Sequence, residues 1–110
     1  MRRRHRRSIL NIKNMYKVKR IKVGTKTVQA FRIRLLKKSL IVIKGSKGYI
    51  MCGYLDLAAA RKSADAAVKI TGISTIEEAL KSAVHSCTSY ARKLGVYPGQ
   101  PVKDALKIIA

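Results

Sequence analysis

A chain of 110 residues with 47% apolar content is sized for one folded domain with a modest core, which excludes general disorder. Its net charge of +20 sits mostly in residues 1–55, which hold 17 Lys and Arg and no acid, so an acidic surface seeking basic partners is excluded. No apolar run nears the roughly 18 residues that cross a bilayer, and Ile9-Leu10-Asn11-Ile12 is too short and interrupted for a secretory leader.

Residues 1–17 open with Arg2, Arg3, Arg4, Arg6 and Arg7 around His5, a like-charge block expected to form a basic arm outside the fold. The organised domain is expected over residues 18–110. Val18 to Val23 alternates apolar and basic residues as a half-buried strand does, and Gly24-Thr25-Lys26 turns the chain. Val28 to Leu36 forms a second strand, with Val28, Ala30, Ile33 and Leu35 as its apolar set. Phe31 breaks that alternation, which predicts a bulge or a strand covered on both faces. After a Lys37-Lys38-Ser39 turn, Leu40 to Ile43 is an apolar run without polar interruption, mostly β-branched and suited to a central strand. Gly45-Ser46-Lys47-Gly48 makes a hairpin loop, and Tyr49 to Cys52 returns.

Helices are expected to dominate the second half. Asp56 is placed to cap a helix through Leu57 to Lys62, and Ala66 to Ile70 reads as a fifth strand closed by Gly72. Ser74 and Glu77 have capping-box spacing, and Ser86 is placed to cap a helix ending at Leu94 with Gly95 as its stop. Pro101 opens a final helix. The fold class expected is therefore α/β of the α+β kind, an antiparallel four-stranded meander plus a fifth strand, covered by helices from the C-terminal half.

Two kinds of chemistry fit these residues. Arg20, Lys22, Arg32 and Arg34 lie on the first two strands and suit phosphate contact, which is salt-sensitive and blind to sequence. The partners expected are nucleic acid or a phosphorylated small molecule. Lys47-Gly48-Tyr49 with Tyr54 matches part of the RNA-recognition pattern, but Tyr49 and Tyr54 have opposite parity on a strand. Self-association through alanine-rich or C-terminal apolar segments is a third class of interaction.

The alternative is an enzyme with Cys52 as nucleophile. Cys52 stands where a strand meets a helix start, and Gly53 would admit a substrate to nearby amides. In the anion-binding reading, Lys47, Gly48, Gly53 and Asp56 are the ligand-binding residues expected around the candidate cleft. A nucleophile needs a base, and His85 is the sole histidine after the arm. The competing reading of Cys52 is a small core residue. His85-Ser86-Cys87 lacks zinc spacing, so no metal and no cofactor is expected. Two cysteines make no disulfide framework, and a cytoplasmic setting is the expectation.

The segment from Lys47 through Asp56, KGYIMCGYLD, resembles the signature of the YunC-like family, small bacterial and archaeal proteins of unknown function. Thr71 to Leu80, Ala91 to Val96 and Lys103 to Leu106 fit the same pattern. The resemblance spans residues 18–110 and implies an α/β domain without assigning an activity. The heavily basic N-terminal segment and Pro101 depart from it.

Overall fold

The computed structural model describes residues 16–35, 39–53 and 57–110. The Arg-rich segment, the Lys37-Lys38 turn, Tyr54 and the Asp56 cap lie outside the described residues. Six strands form one sheet in chain order: β1 (Tyr16–Val23), β2 (Lys26–Arg34), β3 (Ser39–Lys44), β4 (Tyr49–Met51), β5 (Ala67–Lys69) and β6 (Ser86–Cys87). Among the described residues four helices follow or interleave: α1 (Leu57–Lys62), α2 (Ile76–Lys81), α3 (Ser89–Leu94) and α4 (Val102–Ile109). β1 takes in Tyr16 and Lys17, so the strand starts inside the segment expected to be an arm.

The expected meander is present as β1 to β4, each antiparallel to the next. β5 then joins β4 in parallel, which requires a crossover, and α1 lies in it. The sixth strand is a correction to the five expected. Ser86, assigned to a helix cap, instead pairs with Lys69, while Cys87 pairs with Val68. The cap of α3 is Thr88, whose side chain accepts from the Ala91 amide. A similar offset occurs at α2: Thr75, not Ser74, caps the helix, and its partner is Glu78, not Glu77. Both neighbours carry hydroxyls, so packing of Ile76 and Ala79 into the core selects the register.

Residues directly opposite in paired strands share a face. The inner face carries Val28, Ala30, Ile41, Ile43, Ile50 and Val68, all with 0% exposure. α2 and α4 close this face with Ile76, Ala79, Val102, Ala105, Leu106 and Ile109. Each buried Ile or Val contributes roughly 1.5–3 kcal/mol relative to exposure. Ala60 of α1 and Ala67 are also buried but stand outside that cluster, and Ala67 pairs with Tyr49 on the opposite face. α1 therefore packs on the outer face, over β5.

β2 contains no bulge, because its pairing with β3 runs unbroken from Gln29↔Lys44 to Arg34↔Ser39. Its apolar residues change face instead. Val28 and Ala30 point inward, whereas Phe31 and Ile33 share the outer face. Ile33 and Leu35, counted in one apolar set with Val28 and Ala30, are exposed.

Candidate functional site

The outer face is organised in rows that cross the strands. One row runs Arg20, Gln29, Lys44, Tyr49 across β1 to β4. The next runs Val18, Phe31, Val42, Met51. Residues two apart on a strand are separated by roughly 7 Å, so a cationic row and an apolar row lie side by side.

Two cavities open on these rows. The first, about 580 Å³, is lined by Arg20, Lys22, Thr27, Gln29, Lys44 and Gly45. None of its lining residues is acidic. The second, about 460 Å³, has Phe31, Val42 and Met51 on its floor and Tyr49 and Asp65 in its wall. Lys44 and Gly45 line both, so the cavities adjoin. Both fall within the range of small-ligand sites.

The wall of the second cavity is fixed from both sides. The Tyr49 hydroxyl donates to Asp65 Oδ2 at 3.1 Å. Burial first, and then the Asp65 carboxylate, push the Tyr49 phenol above its ordinary value, so it remains a donor through the neutral range. Asp65 is held by Thr88, a fully buried residue whose hydroxyl donates to the Asp65 carbonyl at 2.7 Å and accepts from the Ala67 amide at 3.1 Å. Between α1 and Asp65 the chain turns through Ala64 at φ 59, a left-handed conformation costing a non-glycine residue roughly 1–2 kcal/mol.

The hairpin loop supplies two close approaches. A Cβ on Gly48 would strike the Ala66 carbonyl and one on Gly45 the Ile109 carbonyl. Two of the loop amides and the first amide of β4 are committed to structure: Gly45 donates to Gly48, Lys47 to Ile109 and Tyr49 to Ala66.

The register divides the four strand cations singled out from the sequence. Arg20 and Lys22 share the outer face with Lys44. Arg32 pairs with Ile41 and Arg34 with Ser39, which puts both on the inner face, Arg32 beside Ile76 and Glu77 of α2. Arg32 donates there to Ser39 Oγ at 3.3 Å. Lys19, on the same inner face, approaches Glu77 at 3.7 Å. Lys47 and Gly48 line the apolar cavity, whereas Gly53 and Cys52 line neither cavity. Lys44, Phe31, Asp65 and Thr88 were not singled out as site residues from the sequence. Phe31 carried a signal in its break of the alternation, and Lys44 in its place just before the Gly45-Ser46-Lys47-Gly48 loop.

Cys52 is 4% exposed, and its sulfur is occupied: the Ile41 amide donates to Sγ at 3.2 Å, and the thiol faces the Ser39 carbonyl at 3.6 Å. His85 is exposed, with Nδ1 at 3.0 Å from Ser86 Oγ, and stands roughly 10 Å away across β5. Among the described residues no three His, Cys, Asp or Glu side chains gather as a metal site. We expect neither Cys52 nor Cys87 to react with iodoacetamide until the chain unfolds, as read by mass spectrometry of the labelled peptides. Rapid labelling of Cys52 in the folded protein would revive the nucleophile.

Comparison with known proteins places this architecture. The family model for a domain of unknown function, DUF1805, matches residues 51–109. The uncharacterized protein YunC of Bacillus subtilis is 31% identical over 81 residues, covering 70% of this chain and 80% of its own. The crystal structure of a protein of unknown function, TA1206 from Thermoplasma acidophilum, superposes with a TM-score of 0.83 at 34% identity. That match covers 87% of this chain and 94% of the other. No helix among the described residues is long and apolar enough to cross a membrane.

Proposed function

This chain belongs to the DUF1805 family, the group with YunC as a relative, and from that premise we propose that it binds an anionic ligand on the outer face of its sheet. One observation carries the reading. Arg20, Lys22 and Lys44 line a single open groove, and none of them forms an ion pair among the described residues. Three unpaired cations beside a low-dielectric sheet focus a positive potential on that groove. The inner-face cations support the reading less, since Lys19 is paired with Glu77 and the Arg32 guanidinium, though still charged, is oriented by its hydrogen bond to Ser39.

The Cys52 nucleophile is the weaker reading, because the thiol is buried and hydrogen-bonded, and among the described residues no histidine or carboxylate is hydrogen-bonded to it. Asp56, the remaining residue of the candidate cleft, lies outside the described residues.

Tripolyphosphate titrated into the full chain tests the proposal. The affinity should fall roughly tenfold between about 50 and 200 mM salt, as expected when a few cations each release a counterion. An affinity indifferent to salt, or no binding at the lower salt, would overturn it.

A further inference from the structure

The anion reading leaves the adjoining apolar cavity without a purpose, and its chemistry is specific enough to name a ligand class. The inference here rests on that reading and adds to it. The floor is Phe31, Val42 and Met51, half-buried residues in one cross-strand row. An aromatic ring flanked by a β-branched side chain and a thioether offers a flat, polarizable platform for another ring. The wall offers acceptors. Asp65 gives one oxygen to the Tyr49 hydroxyl, and a carboxylate keeps further lone pairs for other donors. The cationic row begins roughly 7 Å from the apolar row, so a ring on one and an anion on the other belong to one small molecule.

We propose that the two cavities together bind a free purine nucleotide, with its phosphates on Arg20, Lys22 and Lys44, its ring on Phe31, Val42 and Met51, and its N–H edge on Asp65. Guanine is the best match, because it presents two adjacent N–H donors to a carboxylate. Adenine presents its exocyclic amine alone, and uracil a single N–H between two carbonyls that the carboxylate repels. A single base fits the ring cavity, since the Ala64–Ala66 turn walls one side and the Gly45–Gly48 loop another. The left-handed Ala64 lies in that same wall.

Isothermal titration calorimetry of the full chain with GDP, ADP, UDP and inorganic pyrophosphate tests this. GDP should bind roughly tenfold tighter than pyrophosphate, the scale of one base stacked on an aromatic side chain. Phe31→Leu keeps the apolar packing and should remove most of that advantage while pyrophosphate binding, which also reports the intact fold, stays unchanged. Asp65→Asn should erase the preference of GDP over ADP and UDP. Equal affinities for GDP and pyrophosphate would overturn the nucleotide assignment and leave the anion groove standing. Equal affinities for GDP and UDP would overturn the role of Asp65. Absence of binding by all four, pyrophosphate included, would remove the anion groove itself.

Discussion

Replacing Thr88 by valine should cost about 3 kcal/mol of stability, although the side chain barely changes in volume. Thr88 has 0% exposure, and its hydroxyl works three ways. It donates to the Asp65 carbonyl and accepts from the amides of Ala67 and Ala91, the last at 3.4 Å as the cap of α3. Valine leaves all three backbone groups without that partner in a site closed to water, and each such loss costs roughly 1–3 kcal/mol. Thr88→Ser keeps the oxygen and should cost under about 1.5 kcal/mol, the scale of a lost methyl group. Denaturant titration checks the pair: the valine variant should lower the midpoint at unchanged slope. Equal midpoints for the two variants would mean that the hydroxyl holds nothing. The consequence reaches function, because Thr88 fixes the backbone of Asp65 and hence the carboxylate that meets Tyr49.

Gly48→Ala should destabilise the chain by about 2 kcal/mol, and Gly53→Ala by less than about 0.5 kcal/mol. Both glycines belong to the motif that carries the family resemblance, yet their surroundings differ. At Gly48 the added methyl group would meet the carbonyl and side chain of Ala66, where Tyr49 donates to Ala66 at 3.1 Å and opens the β4–β5 pairing. The obstacle is backbone, so the strands must part to admit it. At Gly53 nothing lies within 4 Å of the added carbon. For a domain of this size, about 2 kcal/mol moves the melting temperature by roughly 8–15 °C, which circular dichroism resolves easily. Similar melting temperatures for the two variants would contradict the close approach of β4 and β5.

The strands β1 to β4 were legible because their β-branched runs and glycine turns carry the period and the punctuation together. β5 was legible as a strand but not as a parallel one, since orientation depends on the crossover, not on Ala66 to Ile70. β6 was illegible for a plainer reason: two residues have no period, and Ser86 is as good a helix cap as a strand residue. Thr88 took the cap because Ala67 and Asp65 stand opposite it, 21 and 23 residues earlier in the chain. The basic character of the sheet was legible, but its division between two faces was not. Phe31 signalled a break in alternation. Whether the chain bulges or the apolar set changes face there depends on how far the helices reach. α2 and α4 cover Val28 and Ala30 completely, whereas Arg32 is only half-buried at the side of α2 and Arg34 is exposed, so the inner face turns polar there. Lys47 and Gly48 were found by local pattern, whereas Asp65 and Phe31 join the site only through the sheet. Cys52 stood open to two readings, a nucleophile before a helix start or a small core residue, because neither leaves a local pattern. Its sulfur lies against β3, where Ile41 and Ser39 engage it.

The outer groove is the centre of this account, and one comparison addresses it most directly. Tripolyphosphate affinity is measured at low salt for the parent chain, for an outer-face variant with Arg20, Lys22 and Lys44 changed to glutamine, and for an inner-face variant with Arg32 and Arg34 changed likewise. At about 1 kcal/mol for each exposed charge contact, the outer-face variant should lose roughly a hundredfold in affinity and the inner-face variant less than about threefold. If the two variants instead lose affinity in proportion to the charge removed, the ligand answers to the overall field of the protein, and no groove on the outer face selects it.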